Sequence, residues 1–196
     1  MKKLKIFDDK FYLKENNYEK PKQIHSLICN LIKRSLNNSK NFDGTIVDFG
    51  SGNGELLFNL QKTFPKRTVV SFELNKSDTD PRTNALHLDC CFQPIGKNQA
   101  LLYRGGFKNE DDVQFMLDYF GAENIIELNH DEMYHMTSNV FSISTNVIVS
   151  EKRFSRLNNE LRKRGFTVEE IQFAEVGKMS GLLRCSTLPL RRTYNE

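Results

Sequence analysis

The sequence predicts an α/β protein, and three observations predict it. Between residues 23 and 36 apolar side chains recur at Ile24, Leu27, Ile28, Leu31, Ile32 and Leu36, which is helical spacing. From Gly44 to Phe72 a short apolar strand runs through a glycine-rich turn into a helix and a second strand. From Gln99 onward, strand-like and helix-like patterns alternate almost to the last residues.

Composition narrows the function classes. At 196 residues the chain makes one large domain or two small ones, enough for a sizeable core. The 28 Lys and Arg against 25 Asp and Glu leave a net charge of +3, which argues for neither nucleic acid nor membrane as a partner. No apolar run approaches the roughly 20 residues that span a bilayer. The opening Met1-Lys2-Lys3-Leu4-Lys5 is basic, but no long apolar segment follows, so a signal peptide is not expected. Cys29, Cys90, Cys91 and Cys185 show neither a disulfide framework nor a CxxC metal spacing, so a reducing cytoplasm is the expected location.

In chain order, residues 1–18 read as a charged and aromatic N-terminal arm. Pro21 suits a first helical turn, and the helix runs from Gln23 to Leu36. His25 and Cys29, one turn apart on it, read as surface and core filler. The strand–helix–strand stretch that follows belongs to a segment spanning residues 19–76. Its strand ends at Asp48, its turn carries Gly50, Gly52 and Gly54, its helix runs from Glu55 to Phe64, and its second strand, Thr68 to Phe72, leads to Glu73. Glycines let a ligand approach the backbone, and a carboxylate after the second strand can accept ribose hydroxyls. The dinucleotide pattern GxGxxG is not matched. This partial Rossmann-like βαβ unit resembles the first motif of the class I S-adenosylmethionine-dependent methyltransferases. The resemblance implies S-adenosylmethionine as cofactor, held by Asp48, Gly50, Gly52, Gly54 and Glu73.

Residues 77–83 are polar and turn-forming, a junction. The remainder, 84–196, is read as strands at Gln99–Tyr103, Asn124–Leu128, Val140–Ile143, Asn146–Val149 and Val168–Phe173. Helices are read at Glu110–Phe120 and Phe154–Arg164, the latter closed by Gly165. Arg156, Arg162, Lys163 and Arg164 read as a solvated helix face. His130, Asp131, Glu132 and His135 have a metal-like composition and no other support for that role.

Chemistry concentrates at Cys185. A cysteine by residue type is more often a small buried hydrophobe, but this one follows Ser180 and Gly181, small residues that leave an approach open, and precedes Ser186 and Thr187. His87, in Ala85-Leu86-His87-Leu88-Asp89-Cys90-Cys91, is the base best suited to serve it. Cys90 and Cys91 read as core. His87-Leu88-Asp89, Ser138-Asn139-Val140-Phe141-Ser142-Ile143, Val147-Ile148-Val149-Ser150 and Gly181-Leu182-Leu183-Arg184-Cys185-Ser186-Thr187-Leu188-Pro189-Leu190 together resemble the guanidino-group-modifying enzymes, which include arginine deiminases, dimethylarginine hydrolases and amidinotransferases. The resemblance runs from about Asn84 to Arg192.

That resemblance implies a partial pentein fold, about two of the five strand–helix modules that build it. It implies attack by Cys185 on a guanidinium carbon, with His87 protonating the leaving amine and activating water or an acceptor amine. Asp89 would hold the cationic guanidinium; read as a strand, the segment aims His87 and Asp89 to the same side. Asn139 would shape the substrate pocket. Neither cofactor nor metal is implied, and the partner is a small guanidino or ureido compound, with homo-oligomer formation left open. One departure stands out. The family's further acidic residues lie upstream of the histidine, where this chain has Asp48 and Glu73 in the other motif's context. A methyltransferase and an inactive composite of two enzyme fragments are therefore the alternatives.

Overall fold

The computed structural model describes residues 23–37, 46–47, 55–64, 69–70, 72–179 and 181–187. The chain divides into two units, Met1–Phe72 and Glu73–Glu196. In the first, helix α1 (Gln23–Asn37) follows the apolar stripe and packs against helix α2 (Glu55–Thr63), with Cys29 and Leu60 buried. Strands β1 (Ile46–Val47) and β2 (Val69–Val70) flank α2 in sequence and pair in parallel, the strand–helix–strand order read from the sequence. The arm and the glycine turn lie outside the described residues.

The second unit is one motif used twice. Strands β3 (Phe92–Ile95) and β4 (Gln99–Leu102) form an antiparallel hairpin; helix α3 (Glu110–Phe120) then crosses to β5 (Ile125–Glu127), parallel to β4. After the short helix α4 (His130–Tyr134), strands β6 (Phe141–Ser142) and β7 (Val147–Glu151), helix α5 (Ser155–Lys163) and β8 (Thr167–Ile171) repeat the order and the pairing senses. A four-residue helix, α6 (Ala174–Gly177), precedes the last described turn. Each sheet is three-stranded, with the hairpin's second strand at the centre. Leu101, Ile126, Leu128, Val140, Ile148, Leu157, Leu161, Leu182 and Leu183 form one buried cluster, so both modules and the cysteine-bearing segment share a core.

Four details differ from the sequence reading. Strand β3 is additional to the strands read from the sequence; its place at the sheet edge explains how it accommodates Pro94, since an edge strand can spare a backbone donor. The segment at His87 is not a strand. Leu88–Cys90 is a 3₁₀ turn closed by Cys90 N–H to His87 O (3.1 Å) and Cys91 N–H to Leu88 O (3.0 Å). Two-residue alternation therefore does not fix the directions of His87 and Asp89. Helix α4 forms where a loop was read, because Asn129 and Glu132 make a reciprocal capping box. Finally, of the basic side chains of α5, Arg156, Arg162 and Lys163 are exposed as the sequence reading expects, and only Arg164 is drawn in, half-buried. Arg156 pairs with Glu132 of α4 at 2.6 Å, Arg162 with Glu170 at 2.7 Å, and Arg164 reaches the carbonyls of Glu123 (2.9 Å) and Ile125 (3.2 Å) in the first module. No helix among the described residues is long and apolar enough to cross a membrane.

Candidate active site

Three of the sequence-derived residues meet. Asp89 lies in the 3₁₀ turn leading into β3, Asn139 two residues before β6, and Cys185 in the turn that follows the buried pair Leu182 and Leu183. Those leucines hold the cysteine turn to the shared core. Ser186 N–H closes onto Leu182 O at 3.0 Å, and Thr187 Oγ1 donates to Leu183 O at 2.7 Å. Asn139 is fully buried. Its Oδ1 accepts the backbone N–H groups of Arg184 (3.0 Å) and Cys185 (3.2 Å). Its Nδ2 donates to Asp89 Oδ2 (3.1 Å) and to Cys185 Sγ (3.2 Å). Cys185 Sγ stands 3.5 Å from the same Asp89 oxygen. Ser138, also buried, donates from Oγ to the Asp89 carbonyl at 2.8 Å and so fixes the turn beneath the carboxylate.

Cys185 is a free, solvent-exposed thiol, whereas Cys90 and Cys91 are buried as expected. Burial pushes the Cys90 thiol up to about 11, with its neighbours Asp89 and Cys185 adding to the rise. The Cys91 thiol is raised further, again by burial. Both stay protonated near neutral pH, which leaves Cys185 as the accessible sulfur nucleophile of this unit among the described residues. Gly181 matters here for space: a Cβ on it would stand 3.2 Å from Cys185 Cβ.

The second Asp89 oxygen, Oδ1, is buried without a hydrogen-bond partner among the described residues. A buried unpaired carboxylate oxygen costs free energy and calls for an explanation. A cationic, planar N–H donor arriving beside Cys185 would supply that missing partner.

His87 is placed differently. It is exposed, caps the 3₁₀ turn through its backbone, and its imidazole makes no hydrogen bond with any described residue. The structure thus brings Cys185, Asp89 and Asn139 together, and His87, two residues from Asp89 in the chain, makes no hydrogen bond to the thiol. Sequence reasoning missed Lys76, whose ammonium donates to the carbonyls of Ala85 (2.5 Å) and Leu86 and so pins the approach to His87. No periodicity or motif marks that lysine. The metal-like group is also accounted for. His130 Nε2 bonds Arg82 O at 2.6 Å, His135 Nδ1 lies 3.5 Å from Asp131, and Glu132 takes Arg156. No group of three or more His, Cys, Asp or Glu among the described residues is arranged to hold a metal ion.

Of the five cofactor candidates, Asp48, Gly50, Gly52 and Gly54 lie outside the described residues. Glu73 opens the second unit, where its carboxylate pairs with Lys108 and its carbonyl accepts the Lys108 N–H at 2.9 Å.

One comparison with known proteins falls wholly within this unit. The family model "Arginine deiminase" matches residues 109–192. The uncharacterized protein YkgA of Bacillus subtilis (strain 168) is 34% identical over 133 residues, 68% of this chain and 43% of YkgA. Among solved structures, the product-bound N-terminal domain of ArgZ, an arginine dihydrolase from the ornithine–ammonia cycle in cyanobacteria, superposes with a TM-score of 0.54 at 24% identity, covering 65% of this chain and 44% of that one. SxtG, an amidinotransferase of the saxitoxin pathway from Microseira wollei, gives 0.55 at 18% identity, covering 69% and 40%. The fold held in common is the pentein fold, and the sequence match is to a guanidino-modifying family. The chain spans less than half the length of each of these three relatives.

Proposed function

We propose that the second unit is a thiol-dependent guanidino-group-modifying site, hydrolytic or amidino-transferring, acting on a small guanidino or ureido compound. One observation carries this reading: an exposed thiol is held beside a carboxylate whose second oxygen is buried and has no partner among the described residues. Asp89 holds the guanidinium by a charge-assisted contact. The Cys185 thiolate attacks the guanidinium carbon, giving a tetrahedral adduct. The carbon–nitrogen bond then breaks, His87 gives a proton to the departing amine, and a thiouronium remains on sulfur. His87, now neutral, takes a proton from water or from an acceptor amine as that nucleophile attacks. The carbon–sulfur bond breaks and the thiolate returns. Water yields a ureido product; an amine yields a transferred amidino group. A reducing, cytoplasmic setting suits a nucleophile that must remain a free thiol. Support comes from the family match over residues 109–192 and from the shared fold.

The test is release of ammonia, methylamine, ornithine or citrulline from arginine, methylated arginines, agmatine and citrulline, with Cys185→Ser as control. Turnover that vanishes in the control is expected. Turnover that survives Cys185→Ser, or none with any compound, contradicts the reading, and the second outcome favours an inactive composite.

A further inference from the structure

The Asn139 side chain spends its whole hydrogen-bonding capacity inside the site. An amide offers two donors and two acceptor positions. Here Oδ1 takes the N–H groups of Arg184 and Cys185, and Nδ2 gives one hydrogen to Asp89 Oδ2 and one to Cys185 Sγ. The orientation of the amide follows from its surroundings. Two backbone N–H groups require an acceptor, so Oδ1 must face the cysteine turn and Nδ2 must face the sulfur and the carboxylate. With all four positions filled and the residue fully buried, Asn139 has nothing left to offer a substrate directly.

We propose that Asn139 is a positioning residue: it lets the Cys185 thiolate form beside the Asp89 carboxylate by donating one N–H to each. The two groups stand 3.5 Å apart, and two like charges at that distance disfavour each other. A donor shared between them favours the charged form of both. The same amide holds the backbone that leads into the nucleophile, through the N–H groups of Arg184 and Cys185, while its Nδ2 contacts the sulfur itself. The inference rests on Cys185 being the nucleophile of the proposed reaction, and not on which compound it attacks.

The groups bearing on the Cys185 charge are few. Asp89 faces it directly and Cys90 lies within electrostatic reach. Lys76 acts on Cys90 from the segment before His87, and the exposed Arg184 adjoins Cys185 in the turn. Burial pushes the Cys90 thiol up to about 11, so it stays neutral over the range in which the pH profile is taken.

The experiment is the rate of Cys185 alkylation by iodoacetamide as a function of pH, followed by peptide mapping, with folding checked by circular dichroism. It needs no substrate, so its outcome stands apart from the turnover assay. Asn139→Asp replaces the donor by a second carboxylate oxygen and keeps an acceptor for the turn. Alkylation at pH 7 is expected to fall about tenfold or more, with the profile displaced to higher pH, since one unit of displacement is tenfold in thiolate. Asn139→Ser, which keeps one donor, should fall between it and wild type, and it decides the matter if Asn139→Asp does not fold. Folded Asn139 variants with the wild-type rate and profile would reduce Asn139 to a structural strut and overturn the inference.

Discussion

Asp89 accepts a hydrogen bond from Asn139 on one carboxylate oxygen, while the other is buried and takes none from the described residues. Its neighbour Cys90 shows the opposite economy, a buried thiol that never needs to ionise. That difference has a measurable consequence. Burial raises the Cys90 thiol from 9.0 to about 11, so the folded chain holds that proton more tightly than the unfolded chain does. The resulting stability is complete below about pH 9 and is lost as the pH climbs toward 11, at most ~2–3 kcal/mol in total. Urea unfolding of Cys90→Ala should therefore lose less stability than wild type between those two pH values; equal losses would mean that Cys90 is not desolvated. At this scale the sequence exposed the reactive residue types but not their contacts. Cys185, Asp89 and Asn139 were legible through their motifs. The hydrogen bonds from Lys76 were not, because a lysine in a polar stretch carries no periodic signal. The backbone setting of His87 was hidden for a related reason: a His-x-Asp triplet reads alike in a strand and in a 3₁₀ turn, and only the backbone bonds tell them apart.

Among the elements, what the sequence disclosed best were the long periodic ones. Helices α3 and α5 carry their apolar residues at helical spacing, with Val113 and Met116 buried on one and Leu157 and Leu161 on the other. Short pieces were lost. Strand β3 is only four residues long, and α4 depends on a capping pair rather than on amphipathicity. The turn bearing Cys185 is the element on which the proposed reaction depends, and Leu182 and Leu183 tie it down. Truncating Leu183 removes a buried side chain of the core that spans both modules, a change worth about 2–5 kcal/mol. Chemical denaturation of Leu183→Ala should show that loss. The variant should also lose the order of the cysteine turn, seen as faster amide exchange at Ser186, whose N–H bonds Leu182 O. A loss below about 1 kcal/mol would mean the turn is not anchored through the core.

In the molecule as a whole, repetition explains where the site lies. The second unit uses one strand–strand–helix–strand module twice. Asp89 stands just before the first hairpin, Asn139 just before the second, and Cys185 after the second module ends, so three successive connections converge on one spot. The alternation of elements made this architecture legible. The convergence was not, since it needs the packing of Leu101, Ile148 and Leu182 into one cluster. The central claim is that this spot binds a guanidinium-like cation next to a reactive thiol. The most direct measurement is the labelling rate of Cys185 by chloroacetamidine, a cationic alkylator, against neutral chloroacetamide, in wild type and in Asp89→Asn. The account predicts that the amidine labels Cys185 faster than the amide does, and that Asp89→Asn erases the preference. Equal rates in the wild-type protein, or a preference that survives the loss of the Asp89 charge, would contradict it.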